Sequence, residues 1–187
     1  ISWSDITTGS NSFRYYPDGF IFDATGHSAF CDDRISQEQL LSTCNNKLFQ
    51  KLINILNPTM HFHIGYFDKL PAVFIPKDIA KELVDNLIQL AKSDWDSYET
   101  SWDFTTLPLL EVEYRQDTLA DTYHSLRAHW NEMTREMQRL EEENNRIFIE
   151  AYGLEDELTP DVPLKEITLT CNPYYRYGDN KSDAELE

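Results

Sequence analysis

Long apolar runs are missing from this chain. No stretch of its 187 residues approaches the roughly 20 apolar positions that a membrane-crossing helix needs, so no membrane partner is expected. An initiator Met, a basic leader and an apolar signal core are missing too, since the chain opens Ile1-Ser2-Trp3-Ser4. That start is read as the edge of a piece excised from a longer protein. Cysteine is sparse and odd in number: Cys31, Cys44 and Cys171 stand far apart with no Cys-x-x-Cys. The pattern fits reduced thiols in a cytoplasm and argues against both a disulfide framework and a cysteine zinc site. Positive charge is scarce, with 16 Lys and Arg against 33 Asp and Glu for a net of −17. Taken whole, such a balance disfavours a polyanionic partner.

The distribution of charge reopens that possibility. Residues 1–92 hold eight basic and ten acidic side chains, a net of −2, whereas 93–187 hold eight against 23, a net of −15. Hydrophobic residues at 41% and aromatics at 13% suffice for a core, and the length suits one packed domain or a small domain with a helical extension.

Along the first part, Phe13-Arg14-Tyr15-Tyr16, the Pro17-Asp18-Gly19 turn signature and Phe20-Ile21-Phe22 read as a β-hairpin. Ser36 offers an N-cap with Glu38 and Gln39 in the first turn, and the helical stretch it opens ends before Asn57-Pro58, with a break at Asn45-Asn46. Met60, Phe62 and Ile64 alternate with His61 and His63, as on the two faces of a strand. A helix is expected over 77–92, with Leu83, Leu87 and Leu90 as its seam, and then an aromatic connector with Trp95, Trp102 and Phe104 that packs down. From Leu119 through Tyr123, Leu126, Trp130, Met133, Met137, Leu140, Asn144 and Ile147, steps of four and three make a heptad seam with one polar member. Gly153 reads as its terminator. Beyond it an irregular tail is expected, with one strand at 167–170.

Four chemical signatures bear on these residues. A complete amino-methyltransferase needs a Gly-containing loop over S-adenosylmethionine and an Asn/Asp-Pro-Pro-aromatic loop that holds a flipped base. Neither occurs, and Asn172-Pro173-Tyr174-Tyr175 lacks the second proline. A metal-dependent nuclease would use a Pro-Asp and an Asp/Glu-x-Lys; Pro160-Asp161 and Asp179-Asn180-Lys181 match in letters only. His61 and His63 could form a metal pair, but a solvated or nucleic-acid-facing pair is the favoured reading, so no metal ligand and no catalytic residue is assigned. Phosphate and base contacts need donors of defined types. Thr8, Ser10, Asn11, Ser12, Arg14 and Tyr15 supply a polar loop; Lys47, Lys51, Asn57, Thr59, His61, His63 and Lys69 supply one candidate surface.

Several stretches, in order, resemble one family. They are Ile1–Ser4, Phe13–Asp23, Ile55–Thr59, Asp94–Phe104, Asn145–Ile149 with Tyr152–Leu154, and Asp156–Pro160. The Ser101-Trp102-Asp103-Phe104 and Glu157-Leu158-Thr159-Pro160 blocks are the most specific. Together they resemble the BREX phage-defence adenine methyltransferases and the related type II restriction and modification fusion enzymes. The resemblance implies a parent that transfers methyl from S-adenosylmethionine to adenine N6 in double-stranded DNA. It further implies a catalytic domain N-terminal to residue 1, with this region selecting the sequence and the cofactor held elsewhere. Its partners would be DNA, the catalytic domain and other defence-system proteins.

The expected fold class is α+β: a small mixed α/β target-recognition module at 1–76, an antiparallel long-helix spacer with its aromatic connector at 77–154, and an irregular acidic tail at 155–187. The competing readings are a protein-interaction module docking through the heptad helix and a piece of a metal-dependent nuclease.

Overall fold

Ser36 starts the first helix by a reciprocal exchange. Its hydroxyl accepts from the Gln39 N–H at 3.3 Å while the Gln39 side chain accepts from the Ser36 N–H at 3.0 Å, which satisfies two donors that a helix start otherwise leaves orphaned. Helix α1 spans Gln37–Cys44 and α2 spans Lys47–Leu56. Between them Asn46 caps α2, accepting from Phe49 N–H at 2.8 Å. Asn45 turns its amide the other way and clasps the backbone of Phe13, accepting from its N–H at 3.0 Å and donating to its carbonyl at 2.9 Å. The Asn45-Asn46 pair therefore breaks the helix and also anchors the N-terminal segment to it.

The computed structural model describes residues 1–178 and 180–186. Strand β1, Ser2–Ser4, pairs antiparallel with β2, Gly26–Ser28, in the register Ser2↔Ser28, Trp3↔His27, Ser4↔Gly26. The 13–22 stretch does not make the hairpin its composition suggests. Gly19 takes the positive φ of a turn, 97°, but Arg14 makes only a single bridge to Ser2, and Phe20, Ile21 and Phe22 are exposed. β-propensity expresses itself only against a packed neighbour, and in this stretch it is Phe13 that is buried in the core. The 60–64 stretch is likewise no strand. It makes one bridge, Ile6↔His61, and then enters a single helical turn, α3, Ile64–Phe67.

Two long helices follow, α4 at Lys77–Asp96 and α5 at Leu119–Tyr152, with short 3-10 turns at Pro108–Leu110 and Val112–Tyr114 before α5. Helix α5 ends on a Schellman arrangement: Gly153 adopts φ 65°, its N–H reaches Glu150 O, and Leu154 N–H reaches Ile149 O, both at 3.0 Å. A further 3-10 turn, Leu164–Glu166, and the short helices α6, Pro173–Tyr177, and α7, Asp183–Leu186, complete the elements. Among the described residues no helix is long and apolar enough to cross a membrane.

The chain divides into two compact units that are each discontinuous in sequence: Ile1–Asp85 with Glu143–Pro160, and Asn86–Glu142 with Asp161–Glu187. The first unit is built on aromatic packing. Trp3 stacks on Phe67 with ring centroids 4.7 Å apart, Phe13 meets Phe49 and Phe62 edge-on at 5.8 and 6.2 Å, and the Trp3 indole N–H donates to Phe62 O at 3.2 Å. In the same unit Phe148 packs with Ile75 and Ala80. The polar seam position Asn144 is buried there too. It accepts the Ser42 hydroxyl at 2.7 Å and donates to Ser42 O at 3.0 Å, so the break in the heptad pattern marks a specific intramolecular partner.

In the second unit Met133 and Met137 share a core with Val162, Ile167, Leu169 and Cys171, flanked by Leu87, Leu90, Ala91 and Trp130. The stretch after Pro160 is thus core-forming here, although it forms no strand at 167–170. It is held by Asp94, whose carboxylate accepts the N–H groups of Thr170 and Cys171 at 2.6 and 2.8 Å. The first two seam residues of α5, Leu119 and Tyr123, are exposed.

Candidate functional site

The candidate DNA-contacting residues all fall in the first unit, and the structure separates them into two kinds. Thr8, Ser10, Ser12, Arg14 and Tyr15 are exposed, as are Lys51 and Lys69, the latter 6.0 Å from the Tyr66 ring centre. Others carry internal duties. Asn57 is buried; its amide donates to His61 O and accepts the Thr59 hydroxyl at 2.7 Å. Lys47 has its N–H on Asn145 Oδ1 at 2.8 Å and its ammonium on Thr159 O at 3.0 Å. Asn11 is half-buried and its carbonyl accepts from Gln50 at 2.6 Å.

His61 and His63 are exposed at 50% and 59%, yet both turn toward one carboxylate. Phe62 fixes this choice. Its fully buried ring belongs to the aromatic cluster and its N–H donates to Asp5 O at 2.7 Å, so its two neighbours project from the opposite side. His63 Nδ1 lies 2.9 Å from Asp5 Oδ1 and His61 Nδ1 lies 3.3 Å from Asp5 Oδ2. The β1–β2 register brings in a third imidazole, with His27 Nε2 3.4 Å from Asp5 Oδ1. Burial works to raise the Asp5 pKa, but its polar contacts with His61 and His27 and the positive charges that His63 and His61 carry when protonated hold it below its ordinary value. Asp5 and His27 are invisible to a reading by spacing, because they lie far apart in the chain and far from His61. Only the strand register unites them.

The Ser101-Trp102-Asp103-Phe104 block is a braced loop of the second unit. Lys92 bonds both Asp96 and Asp103, at 2.6 and 2.5 Å, and Asp96 also accepts the Ser101 hydroxyl at 2.6 Å. The Lys92 ammonium, helped by Ser101, holds the Asp96 carboxyl below its usual range. This bracing leaves Trp102 95% exposed, in contrast to the packed connector its aromatic content suggests.

Asn172, in the sequence that loosely imitates a base-holding loop, is fully buried. Its amide donates to Leu164 O and Ile167 O, both at 2.8 Å, and accepts from Tyr174 N–H at 3.1 Å as the N-cap of α6. Both its donors and its acceptor are thus committed to the protein's own backbone. Of the nuclease-like letters, Asp179 lies outside the described residues and Lys181 pairs with Glu185 at 3.1 Å.

No family model matches the chain. It is 36% identical over 172 residues to the adenine-specific methyltransferase PglX of Lacticaseibacillus casei (strain Zhang), covering 90% of this chain and 14% of that protein. It is 30% identical over 184 residues to the adenine-specific methyltransferase BrxX of Escherichia coli O9:H4 (strain HS), covering 97% of this chain and 15% of that protein. Nearly the whole of this chain is therefore homologous to one segment of two adenine-specific methyltransferases, and it spans only a small part of their length.

Proposed function

We propose that this chain is the C-terminal target-recognition region of a site-specific adenine-N6 DNA methyltransferase of a BREX-type phage-defence or restriction and modification system. Methyl transfer from S-adenosylmethionine then belongs to a catalytic domain elsewhere in the longer protein. The observation that carries the reading is the homology over 90–97% of the chain to two adenine-specific methyltransferases, together with its 14–15% share of their length. The fold class follows the same reading, a small mixed recognition module with a helical spacer. The exposed donors Thr8, Ser10, Ser12, Arg14, Tyr15 and Lys51 are its candidate contacts. Arg14 and Lys51 suit phosphate, and the hydroxyls and the phenol suit base edges or sugar.

The test is charge reversal in the full-length enzyme. Arg14→Glu with Lys51→Glu is expected to weaken binding across all sequences and to reduce the salt dependence of log K by about one unit per lost phosphate contact. Site-specific methylation with an unchanged salt slope would remove Arg14 and Lys51 from the recognition surface. A second reading, an interaction module, is favoured by one observation, the projecting Trp102 on its braced loop. It is separated from the first by Trp102→Ala, which impairs partner association and leaves DNA binding intact only if that reading holds.

A further inference from the structure

Among the described residues one group of side chains has the chemistry and spacing to hold a metal ion: Asp5, His27 and His63, whose ligand atoms lie within 4.8 Å of one another. Two features distinguish it from an ordinary surface ion pair. Asp5 Oδ1 and His27 Nε2 are shielded from solvent and lack a well-directed hydrogen bond. A shielded polar atom without a directed hydrogen bond incurs a desolvation cost that folded proteins rarely leave uncompensated. Both orphaned atoms also lie close to each other and to the ring of His63. The separations of 3.4 Å for His27 Nε2 to Asp5 Oδ1 and 2.9 Å for His63 Nδ1 to Asp5 Oδ1 compare with the ~3.3 Å between ligand atoms of a tetrahedral ion with bonds of about 2.0–2.1 Å.

We propose that Asp5, His27 and His63 form a zinc site in the first unit, with a fourth position open to water. Two imidazoles and a carboxylate are a borderline-soft set, suited to Zn²⁺ and unlike the all-oxygen cages of Mg²⁺ or Ca²⁺. The residues come from three places: just after β1, the centre of β2, and the N-cap of α3. One ion joining them adds a cross-link to segments already tied by a three-residue ladder, isolated bridges and the packing of Trp3 on Phe62 and Phe67, so its role is to reinforce the N-terminal fold. The Asp5 carboxylate is then shared between the metal and its contact with His61 Nδ1 at 3.3 Å, which orients that ring in the manner of an outer-shell partner.

The chain is titrated with Zn²⁺ after chelator treatment, with binding followed by calorimetry and thermal unfolding. One equivalent is expected to bind and to raise Tm by several degrees. His27→Gln and His63→Gln are each expected to lower the affinity at least tenfold, the lower end of what losing even an orienting partner costs, with the chelated Tm near that of the chelated parent. Cys31→Ser, a change at an exposed thiol, should leave binding unchanged. Co²⁺ gives a readout that does not depend on any variant folding: a tetrahedral nitrogen and oxygen spectrum supports the site, and a thiolate charge-transfer band overturns it. Absence of stoichiometric binding, or binding that survives both histidine changes, also overturns it.

Discussion

Asn144 illustrates how much rests on single polar side chains in this protein. Its amide fills both halves of the exchange with Ser42 in a buried position. Replacing it by leucine keeps the branched outline of the side chain but leaves the buried Ser42 hydroxyl without its acceptor. Asn144→Leu is therefore expected to cost about 2 kcal/mol in urea unfolding, within the range for an unsatisfied buried group. Adding Ser42→Ala should recover part of that loss, because removing both partners is far cheaper than removing one. A double variant no more stable than Asn144→Leu would show that the stranded hydroxyl is not the source of the cost. Asn45, Asn46, Asn57 and Asn172 play similar parts, each bonding backbone groups of neighbouring segments. In the sequence all five are simply polar residues, and a donor type suited to DNA cannot be told from one already committed to the protein's own backbone. Asn57 and Lys47 fall among the candidate DNA contacts for that reason.

At the scale of elements, helix boundaries are the most legible feature. The Ser36 cap, the Asn45-Asn46 break and the Gly153 stop are local signals, each depending on atoms within about four residues. Gly153 carries a testable consequence. A Cβ there meets nothing within 4 Å, so Gly153→Ala is penalised by its φ of 65° alone. A loss of about 1 kcal/mol is expected, seen as a drop in Tm without change in the far-UV helical signal. No drop would mean that the end of α5 is free to readjust. Strands are the least legible. The Phe-, Tyr- and Ile-bearing stretch 13–22 suggests a hairpin, but the ladder forms instead between Ser2–Ser4 and Gly26–Ser28, where Trp3 can enter the aromatic cluster. Strand pairing is decided by which side chains find a partner across it, and that information is not local.

Across the whole molecule, the contrast between a nearly neutral first half and an acidic second half weakens once residues are grouped as they fold. The first unit holds eight basic and 15 acidic side chains, a net of −7, and the second holds eight and 18, a net of −10. The acidic end of α5 and the residues just after it join the N-terminal unit, so the DNA contacts proposed for it rest on individual side chains such as Arg14 and Lys51 and not on net charge. The three thiols report on both units. Cys31 is exposed, whereas Cys44 in the first unit and Cys171 in the second are buried. Burial pushes the Cys44 thiol far up and that of Cys171 to about 12, and it raises Cys31 more modestly. Alkylation of the native protein near neutral pH should mark Cys31 alone, slowly and faster as pH rises, with all three marked in urea. Early labelling at Cys171 would contradict the packing of residues 162–171.

What the sequence determined by itself was the set of locally encoded features: helix starts and stops, the heptad face of α5, and the family-specific blocks around Trp102 and Thr159. The helix starts and stops survive because residues within a turn or so enforce them, whereas the heptad face holds only in part, with Leu119 and Tyr123 exposed. Only the tertiary structure decided which of those features share a core, that Asp5 and His27 join His61 and His63, and that Trp102 is exposed. The histidine cluster depends on contacts between residues far apart in the chain, made in the first unit where Trp3, Phe13 and Phe62 are buried together, whereas the exposure of Trp102 follows from how Lys92, Asp96 and Ser101 brace its own loop in the second unit.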